Sequence, residues 1–226
     1  MNTTGYLTEV TPNEGFHVFV PFPDTYLLDK RQIHEVGIEI TDGRTISARE
    51  RSKIYATMRD IADYTGYTPE QVKAIWKYDF IAKTGCDYFS LSDVDMTTAN
   101  GFLEHLIDFC LEQDIPTKDS LASRSPDIAR YIYRCLINKR CCITQKKAQL
   151  HHVDAVGMGR DRKDIIHRGM RVLPLHWKLH AEAHTIGTKA LEEKYHVFGI
   201  KLDADLCDIW NVKDYDERNH DEGQIY

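Results

Sequence analysis

The sequence predicts an α+β fold, and three observations carry that prediction. Residues 1–43 hold short apolar runs and one clear alternation of apolar and polar side chains, the period-2 signature of strands. Residues 47–137 hold apolar stripes at helical spacing between cap signals. Residues 142–155 then return to strand-like composition, and residues 173–187 to a helix. The expected architecture is a short N-terminal β part packed on helices, followed by a small unit of two strands and one helix.

The elements follow in chain order. EGFHVFVPF (14–22) is a dense apolar run broken by Pro21 and Pro23. HEVGIEITDG (34–43) alternates Val36, Ile38 and Ile40 with polar neighbours and ends in an Asp-Gly turn, a half-buried strand. Ser47 with Glu50 three residues on has the spacing of a capping box, and Ile54, Met58 and Ile61 share one face of the helix it opens. Gly66 closes that helix. Thr68-Pro69 opens a second, with proline at the first helical position and Val72, Ile75, Trp76 and Phe80 as its stripe. Ser92 with Asp95, or Thr97, opens a third, lined by Phe102, Leu103, Leu106, Ile107 and Cys110 and ended by Gln113–Pro116. TKDSLASRSP (117–126) is the best linker candidate, and Pro126–Ile137 reads as a short helix. AQLHHVDA (148–155) reads as a strand end. LPLHWKLHAEAHTIG (173–187) reads as a helix that starts after Pro174 and stops at Gly187.

Composition excludes several classes. Hydrophobic residues make up 42% and charged residues 28%, and apolar side chains recur along most of the chain, so disorder is not its main state. No apolar run approaches the ~18 residues of a membrane helix, so no membrane partner is expected. The first twenty residues lack a basic start followed by an apolar stretch, so the expectation is a cytoplasmic protein without a secretory signal. The six cysteines form no CxxC pair, so a cysteine-based zinc knuckle has no support, and the cytoplasm would keep them reduced.

Charge is unevenly spread. Residues 1–133 carry 13 basic and 21 acidic side chains, residues 134–178 carry 11 and 3, and residues 179–226 carry 5 and 11. An overall net charge of −6 argues against nucleic acid, but a local excess of eight positive charges within 45 residues argues for it. Phosphate contacts supply most non-specific affinity for DNA. Lys146, Lys147, Arg160, Arg162, Lys163 and Arg171 are the candidate DNA contacts in that stretch. Further back, Arg44, Arg49, Arg51 and Lys53 surround a helix start with Tyr55 and Trp76 nearby, and charge with aromatic rings is what single-strand binding uses. Arg44 and Arg51 are the candidates there.

The histidines carry the chemistry. Six of the eleven fall between positions 151 and 184: His151, His152, His167, His176, His180 and His184. His176, His180 and His184 recur every fourth residue, so a helix stacks them on one stripe. Two neutral imidazoles one turn apart can bind one divalent ion. His151 and His152 are strand neighbours and point to opposite faces, so one can ligate metal while the next does other work. That division suits phosphodiester hydrolysis, in which a metal stabilises phosphate charge and a neutral imidazole deprotonates water. The loop with Gly157, Gly159, Arg160, Arg162 and Lys163 can approach a phosphate backbone closely.

Cys142–Leu150 as a hairpin, His151-His152, and Leu173-Pro174-Leu175 leading to His180 and His184 resemble the HNH (ββα-metal) nuclease module. LHHVDAVGMGR and LPLHWKLHAEAHTIG are also similar to a phage group of HNH nucleases. The resemblance implies His151 as metal ligand, His152 as general base, and His180 and His184 as further ligands, with His167 or His176 in reserve. It implies one divalent ion, Mg or Mn for activity, with Zn or Ni able to occupy the site. The middle Asn of the motif is missing; Arg171 falls near its register and His167 is the nearest polar substitute.

Residues ~35–120 resemble more weakly the lambda Orf (NinB) recombination family, in the strand before a basic turn, Ser47–Tyr55, the helix with Trp76, Phe89–Met96, and the helix ending near Pro116. Its usual Gln-Asn after the Ser is Glu50-Arg51 here. That likeness implies single-stranded DNA binding and a homodimer. The expected organisation is a DNA-binding and dimerisation domain over 1–120, a linker and connecting helix over 121–134, an HNH module over 135–200 and an acidic tail over 201–226. The expected function is a phage- or prophage-encoded recombination protein, in the host cytoplasm, that binds single-stranded or branched DNA and cuts it, with single-strand-binding protein as a possible partner. The alternative is a recombination mediator whose HNH fold is catalytically silent.

Overall fold

The structure, a computed structural model, describes residues 5–11, 14–22, 25–32, 43–154 and 165–214. The strand expected over 34–43 falls almost wholly outside them. The fold class is α+β: helices dominate, with one two-stranded and one three-stranded sheet among the described residues. The chain divides into two units, Met1–Ile40 and Thr41–Tyr226. Among the described residues no helix is long and apolar enough to cross a membrane.

The first unit is an antiparallel hairpin, β1 (Tyr6–Thr11) on β2 (Gly15–Phe19), followed by helix α1 (Thr25–Lys30). A register shift between Leu7 and Glu9 interrupts the ladder. The apolar run read at 14–22 supplies β2.

In the second unit, three long helices form the framework. Helix α2 (Ala48–Thr65) starts where Ser47 accepts the Glu50 N–H and stops at Gly66, whose φ of 78° only glycine adopts without cost. Helix α3 (Pro69–Thr84) opens on a complete capping box between Thr68 and Gln71. Helix α4 (Met96–Glu112) is capped by Asp95, whose carboxylate accepts the Thr98 N–H, so neither Ser92 nor Thr97, the two starts read from the sequence, is the cap. Ile54, Met58 and Ile61 of α2 meet Phe102, Leu103 and Leu106 of α4 in the buried core. Each such side chain contributes about 1.5–3 kcal/mol by leaving water.

Residues 121–134, read as a linker and connecting helix, hold α5 (Leu121–Arg124) and most of α6 (Ile128–Ile137). Leu121 is fully buried, and Arg124 forms a buried ion pair with Asp60 of α2 at 2.7 Å. Polar composition is misleading here because Arg124 is paired inside the fold. The buried cluster runs from Ile46 to Cys207 and includes Tyr131, Ile132, Cys135 and Leu136 of α6.

The second sheet holds β3 (Gln149–His152), β4 (Arg171–Leu175) and β5 (Ile200–Lys201) in the order β3-β4-β5, all antiparallel. The hairpin expected over Cys142–Leu150 is a correction. Residues 141–147 form a tight turn closed by an isolated Arg140–Lys147 bridge, with Gln145 at φ 59°. The true hairpin pairs β3 with β4, register His151–Leu173, across the long 153–170 connection. Pro174 is tolerated within β4 because β5 reaches only Arg171 and Val172, so no strand there needs its missing N–H, while its carbonyl accepts from the Cys142 N–H at 3.0 Å. Helices α7 (Trp177–Ile186) and α8 (Thr188–Tyr195) follow, and α7 packs on β3 and β4. The expected helix over 173–187 thus starts at Trp177; residues 173–175 remain in the strand, and Gly187 ends the helix as read.

The first part of the segment read as an acidic tail is folded. Asp203 caps helix α9 (Ala204–Trp210), Leu206 and Cys207 are buried, and the Trp210 ring donates to the Leu136 carbonyl. This segment also holds the β4 approach in place: the His167 N–H donates to the Lys213 carbonyl, and the Gly169 N–H to that of Leu202.

Candidate active site

The strand β3 presents two histidines to two different places. His151 is buried at 2% exposure, and His152 is half-buried. Adjacent strand residues face opposite ways, so the two imidazoles cannot share one task.

His151 faces α7. Its ring lies 4.9 Å from that of His180 and 5.2 Å from that of His184, and these two lie 5.0 Å apart, one helical turn from each other. One nitrogen from each of the three sits within 4.8 Å of the others. Hydrogen bonds orient two of the rings. The Nε2 atom of His151 lies 2.9 Å from the Thr188 hydroxyl, and Nδ1 of His180 lies 2.9 Å from Oε1 of Gln149. The Nδ1 atom of His151 is buried and has no hydrogen-bond partner. A polar atom left so costs stability unless something else satisfies it. An imidazole that donates its Nε2–H to Thr188 offers Nδ1 as a lone pair, the form that ligates a metal. Burial, and then the neighbouring His180 and His184, push the His151 pKa down to about 4, so it is neutral at pH 7.

These residues fit a divalent metal. Exposure rises from buried His151 through half-buried His180 to exposed His184. Three protein donors that open to water on one side describe a site with a coordination position left for substrate, unlike a closed four-ligand structural zinc. His176 is placed apart from this group: it is the N-cap residue of α7, and its ring packs at 5.6 Å from that of Trp177.

His152 faces the other way. Its Nε2 lies 2.8 Å from Nδ1 of His167, with the rings 4.9 Å apart. His167 is itself buried at 8% exposure. The structure therefore sets His167 against His152, outside the three-histidine group.

The basic candidates separate. Arg160, Arg162 and Lys163 lie outside the described residues. Lys146 and Lys147 are exposed on the turn that leads into β3. Arg171 donates from Nε and Nη2 to Oδ1 of Asp154, at 3.0 and 2.8 Å, while its N–H donates to Oδ2. That clasp occupies the guanidinium and ties the start of the long connection to β4. Arg44 is exposed, whereas the Arg51 guanidinium donates to the Ser92 carbonyl at 2.6 Å and so stabilises the turn before α4. Trp76 is not available to stack on a base: it is 7% exposed and packs edge-on against Phe109. Tyr55 is half-buried, and its hydroxyl accepts from Lys73.

Sequence reasoning did not find Thr188 and Gln149, the residues that hydrogen-bond the His151 and His180 rings. Gln149 stands two residues before His151 and so shares its strand face, which was a readable signal. Thr188 follows the closing glycine of α7, and only the turn from α7 into α8 brings it back to β3.

Comparison with curated proteins and with solved structures finds no match. The family described as "putative HNHc nuclease" matches residues 20–213, most of the chain, and the protein belongs to that family.

Proposed function

We propose that the protein hydrolyses DNA phosphodiester bonds with one divalent metal ion, with His151, His180 and His184 as ligands and His152 as general base. The observation that carries this reading is the three-histidine group with an unpartnered, buried Nδ1 on His151, next to a second histidine on the opposite face of the same strand. Membership of an HNH nuclease family supports nuclease activity, a DNA substrate and the use of a divalent ion.

A bound ion would polarise the scissile phosphate and stabilise the leaving oxygen. The chain's own residues do the rest. His151, oriented through Thr188, and His180, oriented through Gln149, present nitrogens to one point. His152 takes the proton of the attacking water, with its Nε2 set 2.8 Å from Nδ1 of His167. With the His152 Nε2–H donating to that Nδ1, the bond stabilises the imidazolium that forms. His167 thereby stands in for the missing middle Asn. Lys146 and Lys147 extend the positive surface toward the DNA backbone. Mg or Mn serves activity, while Zn or Ni, favoured by imidazole, also occupies the site. The biological setting in this reading is recombination of single-stranded or branched DNA by a phage-encoded homodimer in the cytoplasm, working beside single-strand-binding protein.

Incubation of the full chain with labelled single-stranded, duplex and branched DNA, with Mg, Mn, Ni or Zn and with chelator, tests the activity. Metal-dependent cleavage is expected. The absent Asn favours one second reading, a DNA-binding mediator with a silent HNH fold, and binding without cleavage under every metal would establish it.

A further inference from the structure

We infer that Trp177 is a stacking platform for an unpaired base beside the scissile phosphate, so the substrate is single-stranded or locally unpaired DNA rather than continuous duplex. The inference rests on the nuclease reading for its placement. The chain has three tryptophans, and two are used by the fold. Trp76 is buried against Phe109, and Trp210 donates its indole N–H to the Leu136 carbonyl. Trp177 is 57% exposed at the first position of α7.

Its place on the helix is specific. Trp177 precedes His180 by three residues and His184 by seven, the spacing that puts all three on one helix face. At ~1.5 Å rise per residue, the indole sits only ~4.5 Å along the axis from His180. Successive nucleotides of one strand are ~3.4 Å apart in stacked DNA, so a strand held by its phosphate at the three histidines places a neighbouring base at the indole. Two features suit a nucleotide there. The Lys178 ammonium lies over the Trp177 ring, 5.4 Å from its centre, so a base that stacks on the indole brings its phosphate to that charge. The His176 ring lies beside the indole, tilted at 46° with centroids 5.6 Å apart. A base stacks on an indole only when its own face is free, which in continuous duplex it is not.

The test uses the full chain loaded with Mg and read by stopped flow before cleavage proceeds, with an oligothymidine strand and a duplex of matched length. Quenching of tryptophan emission is followed in wild type and in Trp177→Phe, and the difference isolates Trp177 because Trp76 and Trp210 remain in both. The expected result is quenching by the single strand that is absent in Trp177→Phe, with little from duplex. Trp177→Ala is expected to weaken single-strand binding about tenfold. Trp177→Phe, which keeps an aromatic face, is expected to bind within about threefold of wild type. No Trp177-dependent quenching, equal quenching by duplex, or wild-type affinity in Trp177→Ala would overturn the inference. Metal-dependent cleavage is measured separately: quenching without cleavage defeats the nuclease reading alone, and cleavage without quenching defeats the platform alone.

Discussion

The Nε2 atom of His152 lies 2.8 Å from Nδ1 of His167. The contact joins the strand that carries His151 to the approach of β4, which is itself pinned through Lys213. Replacing His167 with Ala is therefore expected to lower kcat about 10–100-fold, as loss of an orienting partner does, with KM little changed. His167→Asn keeps an acceptor for the His152 N–H and is expected to recover part of that loss. Steady-state cleavage kinetics decide the matter, and a wild-type kcat in His167→Ala would remove His167 from the mechanism.

Metal stoichiometry checks the ligand set. Wild type is expected to bind one divalent ion per chain. Single His151→Ala or His184→Ala variants are expected to bind at least tenfold more weakly, and the double variant none, by titration against a chromophoric chelator. His176→Ala is expected to bind like wild type, because His176 is placed outside the group.

The Arg124–Asp60 pair tests the fold. The two side chains are 4% and 3% exposed and 2.7 Å apart, and Arg124 also donates to Thr57. Arg124 also pairs with Asp119 at 3.3 Å, so Asp60→Asn leaves it one carboxylate and is expected to cost only about 1–3 kcal/mol. Arg124→Met leaves the buried Asp60 without a cation and is expected to cost about 3–5 kcal/mol in chemical denaturation. Replacing both with Leu and Met is expected to restore much of it.

Thiol reactivity tests the buried core. Five of the six cysteines are buried, and Cys86 is half-buried. Burial pushes the thiols of Cys110 and Cys135 up to about 12 and that of Cys142 well above its ordinary value. Only a thiolate attacks a disulfide reagent. One fast thiol is expected in the native protein at pH 8 and six in denaturant. Several fast native thiols would contradict the packing.

Acid sensitivity has a defined direction. Burial, and then Lys83, hold the His105 pKa below its ordinary value, against the raising effect of Asp79 and Asp108. The unfolded chain takes up a proton near pH ~6.5 that the folded His105 refuses. The contribution of His105 to stability is therefore complete above that pH and is lost as pH falls below it. His151, held at about 4, acts in the same direction in the metal-free protein. The comparison that isolates His105 is Tm against pH for wild type and His105→Gln. A shallower fall between pH 6.5 and 5 is expected in the variant, and parallel curves would refute the assignment.

Much of this was legible in the sequence, for physical reasons. Ser47, Thr68 and Gly66 mark helix ends because the groups that satisfy terminal N–H donors, or that permit a positive φ, are local in sequence. The histidine pair and the His180/His184 spacing reveal the three-histidine grouping because strand and helix periods are fixed. What was misread depends on distant partners. The hairpin was placed at 142–150 because its true second strand lies beyond a long connection. The segment 121–134 looked like a linker because nothing local shows that Arg124 meets Asp60. Trp76 and Arg51 looked like DNA contacts because their burial and the Ser92 carbonyl are tertiary facts.

Cleavage by wild type and by His152→Ala, compared at saturating Mn with DNA binding and metal stoichiometry measured on the same samples, tests the central claim most directly. The account predicts that wild type cuts and that the variant retains both DNA and metal yet cuts at least a hundredfold more slowly, within the ~10²–10⁴-fold that a general base contributes. Equal cleavage by His152→Ala would contradict it.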